Sequence, residues 1–192
     1  MTALSLLAVL SLLAAGCAGM MQPTVATATA QLKNATGDVV GTATFTEVSG
    51  GVRIVLETRG LPAGEKGVHI HEVGQCDPPA FTSAGGHFNP GKRQHGLQNP
   101  QGPHAGDLPN ITIAADGTGR LETTTNRVTL SGGDTWLLDA DGSALVVHAA
   151  PDDFKTDPTG NSGARIACGV IGRGQSASRP EPPRARPLMG GY

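Results

Sequence analysis

The chain has 192 residues, with 14 Lys+Arg against 16 Asp+Glu, so it suits one domain and lacks the basic excess of a nucleic-acid binder. Its six aromatic residues, Phe45, Phe81, Phe88, Trp136, Phe154 and Tyr192, are too few for a base-stacking platform. Its 28 glycines and 14 prolines favour short strands joined by many turns and disfavour long helices.

In chain order, residues 4–15 are Leu, Ala and Val interrupted only by Ser5 and Ser11. That is signal-peptide length and shorter than a membrane span. The run Leu13-Ala14-Ala15-Gly16-Cys17 resembles a bacterial lipobox, in which the cysteine is lipidated and becomes the new N-terminus, although no Lys or Arg precedes it. The expectation is a signal peptide over 1–16, export, and a lipidated Cys17 opening a flexible linker over 17–29. The plain alternative is cleavage nearby, with Cys17 a bystander.

Strands follow. Thr24–Lys33 alternates small and β-branched residues, and Val39–Val48 and Val52–Thr58 flank the hairpin signal Ser49-Gly50-Gly51. Alternation puts Val52, Ile54 and Leu56 on the inner face. Further strands are expected at Gly67–Glu72, Asn110–Ala114, Arg120–Thr125, Ala144–His148 and Arg165–Val170, with tight turns at Asp116-Gly117 and Asp141-Gly142. Eight short strands predict an all-β, antiparallel sandwich or barrel. Two long loops, 73–108 and 149–164, interrupt it, and loops of that length in a compact domain are usually functional. Residues 173–192 carry four Arg and four Pro with no hydrophobic periodicity, and are expected to be a disordered tail.

The three cysteines are Cys17, Cys76 and Cys168. If Cys17 carries lipid, one pair remains, and a Cys76–Cys168 bridge suits an oxidising compartment such as the periplasm or cell envelope.

All six histidines lie in or beside the two loops. In His69-Ile70-His71 the strand period turns both imidazoles to one face and Ile70 to the other, which makes half a metal site. His87, His95, His104 and Asp107, at intervals of eight, nine and three, offer a tetrahedral N₃O set suited to zinc. His148 ends an apolar strand and can bring a further imidazole to the His69/His71 face, and an imidazole-rich site suits copper.

The segments Gly67-Val68-His69-Ile70-His71-Glu72, Gly86-His87-Phe88-Asn89-Pro90, His104-Ala105-Gly106-Asp107-Leu108 and 160–171 together resemble copper/zinc superoxide dismutase, in order from about Ala30 to Gly172. Cys76, five residues after His71, resembles the bacterial periplasmic branch. The resemblance implies an eight-stranded Greek-key barrel or sandwich over 30–172. It implies copper on His69, His71, His87 and His148, and zinc on His87, His95, His104 and Asp107, with the His87 imidazolate bridging both. Asp152 matches a carboxylate that links a copper histidine to a zinc histidine, and Arg165 matches a cation that holds a small anion beside copper. The implied reaction turns superoxide into dioxygen and hydrogen peroxide, with His87 carrying a proton.

Lys155, Lys92 and Arg93 are read as solvated loop charges rather than steering groups, and Trp136 as packing near a strand start. Glu72 is expected to point away from both neighbouring histidines, against a hydrolase role. Three other readings compete: an exported metal-buffering protein without fast catalysis, an interaction domain with eroded ligands, and a zinc hydrolase on another β fold. Arg165 and the complete ligand set speak against the first two, and the joint order of the motifs against the third. A homodimer is left open.

Overall fold

A computed structural model describes residues 25–174; the signal stretch, Cys17 and the tail from 175 onward lie outside the described residues. Nine strands form one antiparallel sheet: β1 (Thr27–Asn34), β2 (Val39–Val48), β3 (Gly51–Thr58), β4 (Gly64–Lys66), β5 (Val68–His71), β6 (Ile111–Ile113), β7 (Gly119–Thr125), β8 (Ser143–His148) and β9 (Arg165–Arg173). Their spatial order is β4-β6-β7-β3-β2-β1-β9-β8-β5. The two edge strands, β4 and β5, are consecutive in the chain and separated only by Gly67, so the chain itself closes the sheet into a nearly complete barrel.

The ninth strand is a correction to the eight expected, and Gly67 is its cause. Its N–H donates to the Ala150 carbonyl and its own carbonyl accepts from His148 N–H, both at 2.9 Å. Pairing with these residues takes Gly67 out of the β4–β6 ladder, so the unexpected strand β4 ends before it and the strand expected from Gly67 begins at Val68. A Cβ here would lie 2.9 Å from the Ser162 Cβ, so only glycine allows this approach.

The folded unit also runs past the expected limits of 30 and 172. Thr27 pairs with Thr46, and Ala28 pairs with Arg173, because the small-residue alternation of Thr27-Ala28-Thr29-Ala30 continues to the start of β1.

The barrel interior is filled by alternate residues, including Ala28, Leu32, Phe45, Val52, Ile54, Leu56, Val68, Ile70, Leu145 and Val147. Truncating Phe45, fully buried, to Ala is a change that typically costs about 3–5 kcal/mol. A smaller cluster of Phe81, Ala84, Ala144, Val146 and Cys168 lies under the loop after β5. Strand β8 is therefore buried on both faces, which explains its unbroken apolar run. The Cys76–Cys168 disulfide is formed and pins that loop to β9.

This arrangement decides where the histidines go. In β5, Val68 and Ile70 enter the core while His69 and His71 face outward, as the period-two pattern predicts. That outer face is not open to water. The loops 72–110 and 149–164 fold over it, and every residue of β5 is buried.

Candidate metal centre

The loop after β5 is fastened to the strand by its backbone. Ile70 N–H donates to Gly106 O, Phe88 N–H to Ile70 O, and Glu72 N–H to Gly86 O, at 2.8–3.0 Å. His87 and Asp107 are thereby carried beside His71 and His69, respectively. The second loop locks onto the first, since His95 N–H donates to Asp157 Oδ1 at 2.6 Å and Gln98 N–H to Phe154 O at 2.9 Å.

Two donor sets result. His69, His71, His87 and His148 each bring a ligand atom within 4.8 Å of the others. The ring nitrogens left without any hydrogen-bond partner are His69 Nδ1, His71 Nε2, His87 Nε2 and His148 Nε2, one from each ring, all buried. Four orphaned acceptors in one place are costly unless a cation occupies them.

Outer partners fix which nitrogen is free. His71 Nδ1–H donates to Gly85 O at 3.0 Å and His148 Nδ1–H to Gly163 O at 3.1 Å, leaving Nε2 as the lone-pair donor in both. His69 Nε2–H donates to Asp152 Oδ2 at 2.8 Å, leaving Nδ1.

The second set is built around Asp107. Its Oδ1 stands 3.0 Å from His87 Nδ1, 3.0 Å from His95 Nδ1 and 3.4 Å from His104 Nδ1, and the His87 and His104 nitrogens are 3.4 Å apart. Tetrahedral zinc with bonds near 2.0–2.1 Å holds its ligands about 3.3 Å apart, so these separations fit. His69 also lies within 4.8 Å of this group. Its Nε2, however, is committed to Asp152, so His104 is the better fourth donor. Asp107 Oδ2 accepts the N–H groups of Gly96 and His104 at 2.9 and 3.0 Å, which locks the carboxylate.

One ring belongs to both sets. His87 presents Nδ1 to Asp107 and leaves Nε2 among the orphaned nitrogens. A second link runs through Asp152, whose other oxygen, Oδ1, accepts His95 Nε2–H at 3.0 Å and Phe154 N–H at 2.7 Å.

Electrostatics keep the first set neutral. Burial pushes His69 down to about 3, His71 to about 2 and His148 to about 4, so all three rings are neutral donors at pH 7. At His95 burial acts the same way but is outweighed by the Asp107 and Asp152 carboxylates, which raise it to about 9. Burial would raise Asp107, yet hydrogen bonds from His104, His87 and His95 hold it far below the usual carboxylate range.

Beside the orphaned nitrogens lies a cleft of about 810 Å³, lined by His71, His87, His148 and Arg165 among others. Arg165 is fixed by donating from Nη1 to Phe81 O and from Nη2 to Gly85 O, at 2.5 and 2.6 Å. Gly85 O thus orients a histidine and the arginine together.

His69, His71, His87, His95, His104, Asp107, His148, Asp152 and Arg165 lie together here, while Cys76 and Cys168 form the disulfide between the loop after β5 and β9. Lys92, Arg93 and Lys155 are exposed and do not line the cleft. Glu72 departs from expectation: it reaches the cleft rim, where Oε1 accepts Gly86 N–H at 3.0 Å, because the strand ends at His71 and alternation lapses.

Four supporting residues escaped sequence reasoning. Asn110 clamps both backbone groups of Asp152 at 2.9–3.0 Å. Arg127 donates to Asp107 O at 2.6 Å from the irregular segment between β7 and β8. Asp157 anchors His95. Gly160, at φ +63°, has room for no Cβ, which would fall 1.8 Å from Asp152 Oδ1. Only the glycine spacing of residues 160–163 hinted at any of them.

The family model for copper/zinc superoxide dismutase matches residues 39–171. "Superoxide dismutase [Cu-Zn] 2" of Aquifex aeolicus is 51% identical over 144 residues, covering 74% of this chain and 84% of that protein. The "Superoxide dismutase [Cu-Zn]" of Deinococcus radiodurans is 44% identical over 186 residues, 89% of this chain and 96% of its own. The crystal structure of a superoxide dismutase-like protein from Bacillus subtilis superposes with a TM-score of 0.71 at 43% identity, covering 74% of this chain and 96% of that one. The two donor sets suit the two metals of that family, and this chain belongs to the copper/zinc superoxide dismutases.

Proposed function

We propose that the chain converts two superoxide anions and two protons into dioxygen and hydrogen peroxide at the cleft, with His69, His71, His87 and His148 holding copper and His87, His95, His104 and Asp107 holding zinc. The observation that carries this is the convergence of four orphaned ring nitrogens beside a cleft lined by Arg165. Bound copper supplies a one-electron redox couple, and zinc supplies fixed charge without redox chemistry.

The chain's own groups do the rest. Arg165 offers a fixed guanidinium to a small anion entering the cleft. With both metals bound, His87 would be the ligand the two sites share, and its Nε2 is the atom that would take up a proton and return it to the departing peroxide. Its Nδ1, held in the Asp107 cluster, keeps the ring in place while Nε2 alternates. Asp152 fixes His69 and His95 as one unit.

The setting proposed is the cell envelope, supported by the apolar stretch 4–15 and by the bridged cysteine pair, with Cys17 as a lipid anchor. Mass spectrometry of the exported protein tests the anchor directly.

A second reading, metal buffering without fast turnover, draws on the likeness to a Bacillus subtilis protein named only superoxide dismutase-like. Stopped-flow superoxide decay with the chain from residue 18 onward, loaded with copper and zinc or with zinc alone, separates the two. Copper-dependent decay near the diffusion limit, slowing as salt rises, establishes the dismutase. Metal bound at both sites without fast decay establishes the buffer.

A further inference from the structure

We infer that Glu72 sets the charge selectivity of the cleft, disfavouring multivalent anions more than monovalent ones; this rests on the same cleft being the anion site. Among the described residues that line it, Glu72 is the one carboxylate and Arg165 the one Lys or Arg side chain. Opposite charges therefore share a single opening.

The carboxylate is held there. Its Oε1 accepts Gly86 N–H at 3.0 Å, and a Cβ on Gly85 would lie 2.8 Å from Glu72 Cγ, so the side chain rests against the turn that precedes His87. That same turn supplies Gly85 O, which accepts from both His71 and Arg165. Glu72 is exposed, and among the described residues no Lys or Arg pairs with it, so its charge is not cancelled locally.

Coulomb repulsion is proportional to the charge of the approaching ion. A fixed carboxylate within one Debye length weakens binding of a monoanion by roughly a factor of two at low salt. The same field acts twice on a dianion, so the penalty is squared, to roughly fourfold. Superoxide, a monoanion, is taxed lightly, whereas hydrogen phosphate, a dianion near pH 8, is held off the metal more strongly.

The test is Glu72→Gln, which keeps an oxygen acceptor for Gly86 N–H and removes only the charge. Azide and inorganic phosphate are titrated into the copper- and zinc-loaded protein at pH 8 and low constant ionic strength, and followed by the copper(II) absorption band. Azide affinity rises about twofold and phosphate affinity about fourfold, and both gains vanish in 0.5 M salt. Equal factors for the two anions, or no change in either, overturn the inference. Because binding is read without turnover, a wild-type protein that binds both anions yet fails to dismutate superoxide refutes the functional reading and leaves the selectivity standing.

Discussion

Replacing Asp152 with alanine separates what the strands hold from what the loops hold. Asp152 is 3% exposed and accepts three N–H groups: His69 Nε2–H, His95 Nε2–H and Phe154 N–H. The truncation orphans two buried histidine donors and the half-buried Phe154 N–H, at about 1–3 kcal/mol each, less whatever water recovers, so about 3 kcal/mol of stability is lost. For a domain of this size that lowers Tm by about 6–12 °C.

The metal sites respond unequally. His69, His71 and His148 sit on β5 and β8, and His71 and His148 keep their own acceptors at Gly85 and Gly163. The zinc donors all come from the long loop, and Asp152 is what holds the outer nitrogen of His95. Losing such an outer partner costs about 10–100-fold in metal affinity, and this loss falls on zinc, while copper weakens by only a few-fold. Chelator competition titrations of each metal in the wild type and in D152A measure this. Equal losses at both sites, or a larger loss of copper, refute the reasoning that strands preorganise one site and loops the other.

The metal-stripped protein has its own pH signature. His69, His71 and His148 stay neutral in the fold down to about 3, 2 and 4, whereas unfolded imidazoles protonate near 6.5, so the unfolded state binds more protons below 6.5 and stability falls as pH drops. His95, raised to about 9, contributes stability that is complete below 6.5 and lost as pH rises toward 9. Stability of the stripped chain therefore peaks near pH 7 and falls by about 3 kcal/mol between pH 6 and pH 5, and a flat melting temperature over that interval contradicts the burial argument. Replacing Cys76 and Cys168 by Ser removes a cross-link spanning 92 residues, worth about 4–5 kcal/mol in the chain-entropy account. Guanidinium unfolding reads the loss, and the wild type in reductant should move to match it. Arg165→Met removes the cation and both carbonyl bonds. Superoxide decay should slow roughly tenfold and lose most of its salt dependence, and an unchanged salt slope assigns the steering elsewhere.

Much of this protein is written in local pattern. Period-two alternation in residues 52–56 and 68–71 places side chains on the correct faces because a strand offers only two. The spacing of His87, His95, His104 and Asp107 within a loop too long and too rich in glycine to order itself points to a metal that orders it. The tertiary structure alone decided the rest, because it concerns backbone atoms, which carry no residue label. The carbonyls of Gly85 and Gly163 choose which nitrogen of His71 and His148 stays free. Gly67 separates β4 from β5 by pairing with residues some eighty positions away, and Gly160 keeps a place empty for Asp152. Asn110 and Arg127 hold main-chain groups of Asp152 and Asp107 from distant segments. Sequence determined which groups can do the chemistry; the folding of two loops over one strand face determined their tautomers, their sharing of His87, and the charge at the opening, since these depend on approach in space and not on spacing along the chain.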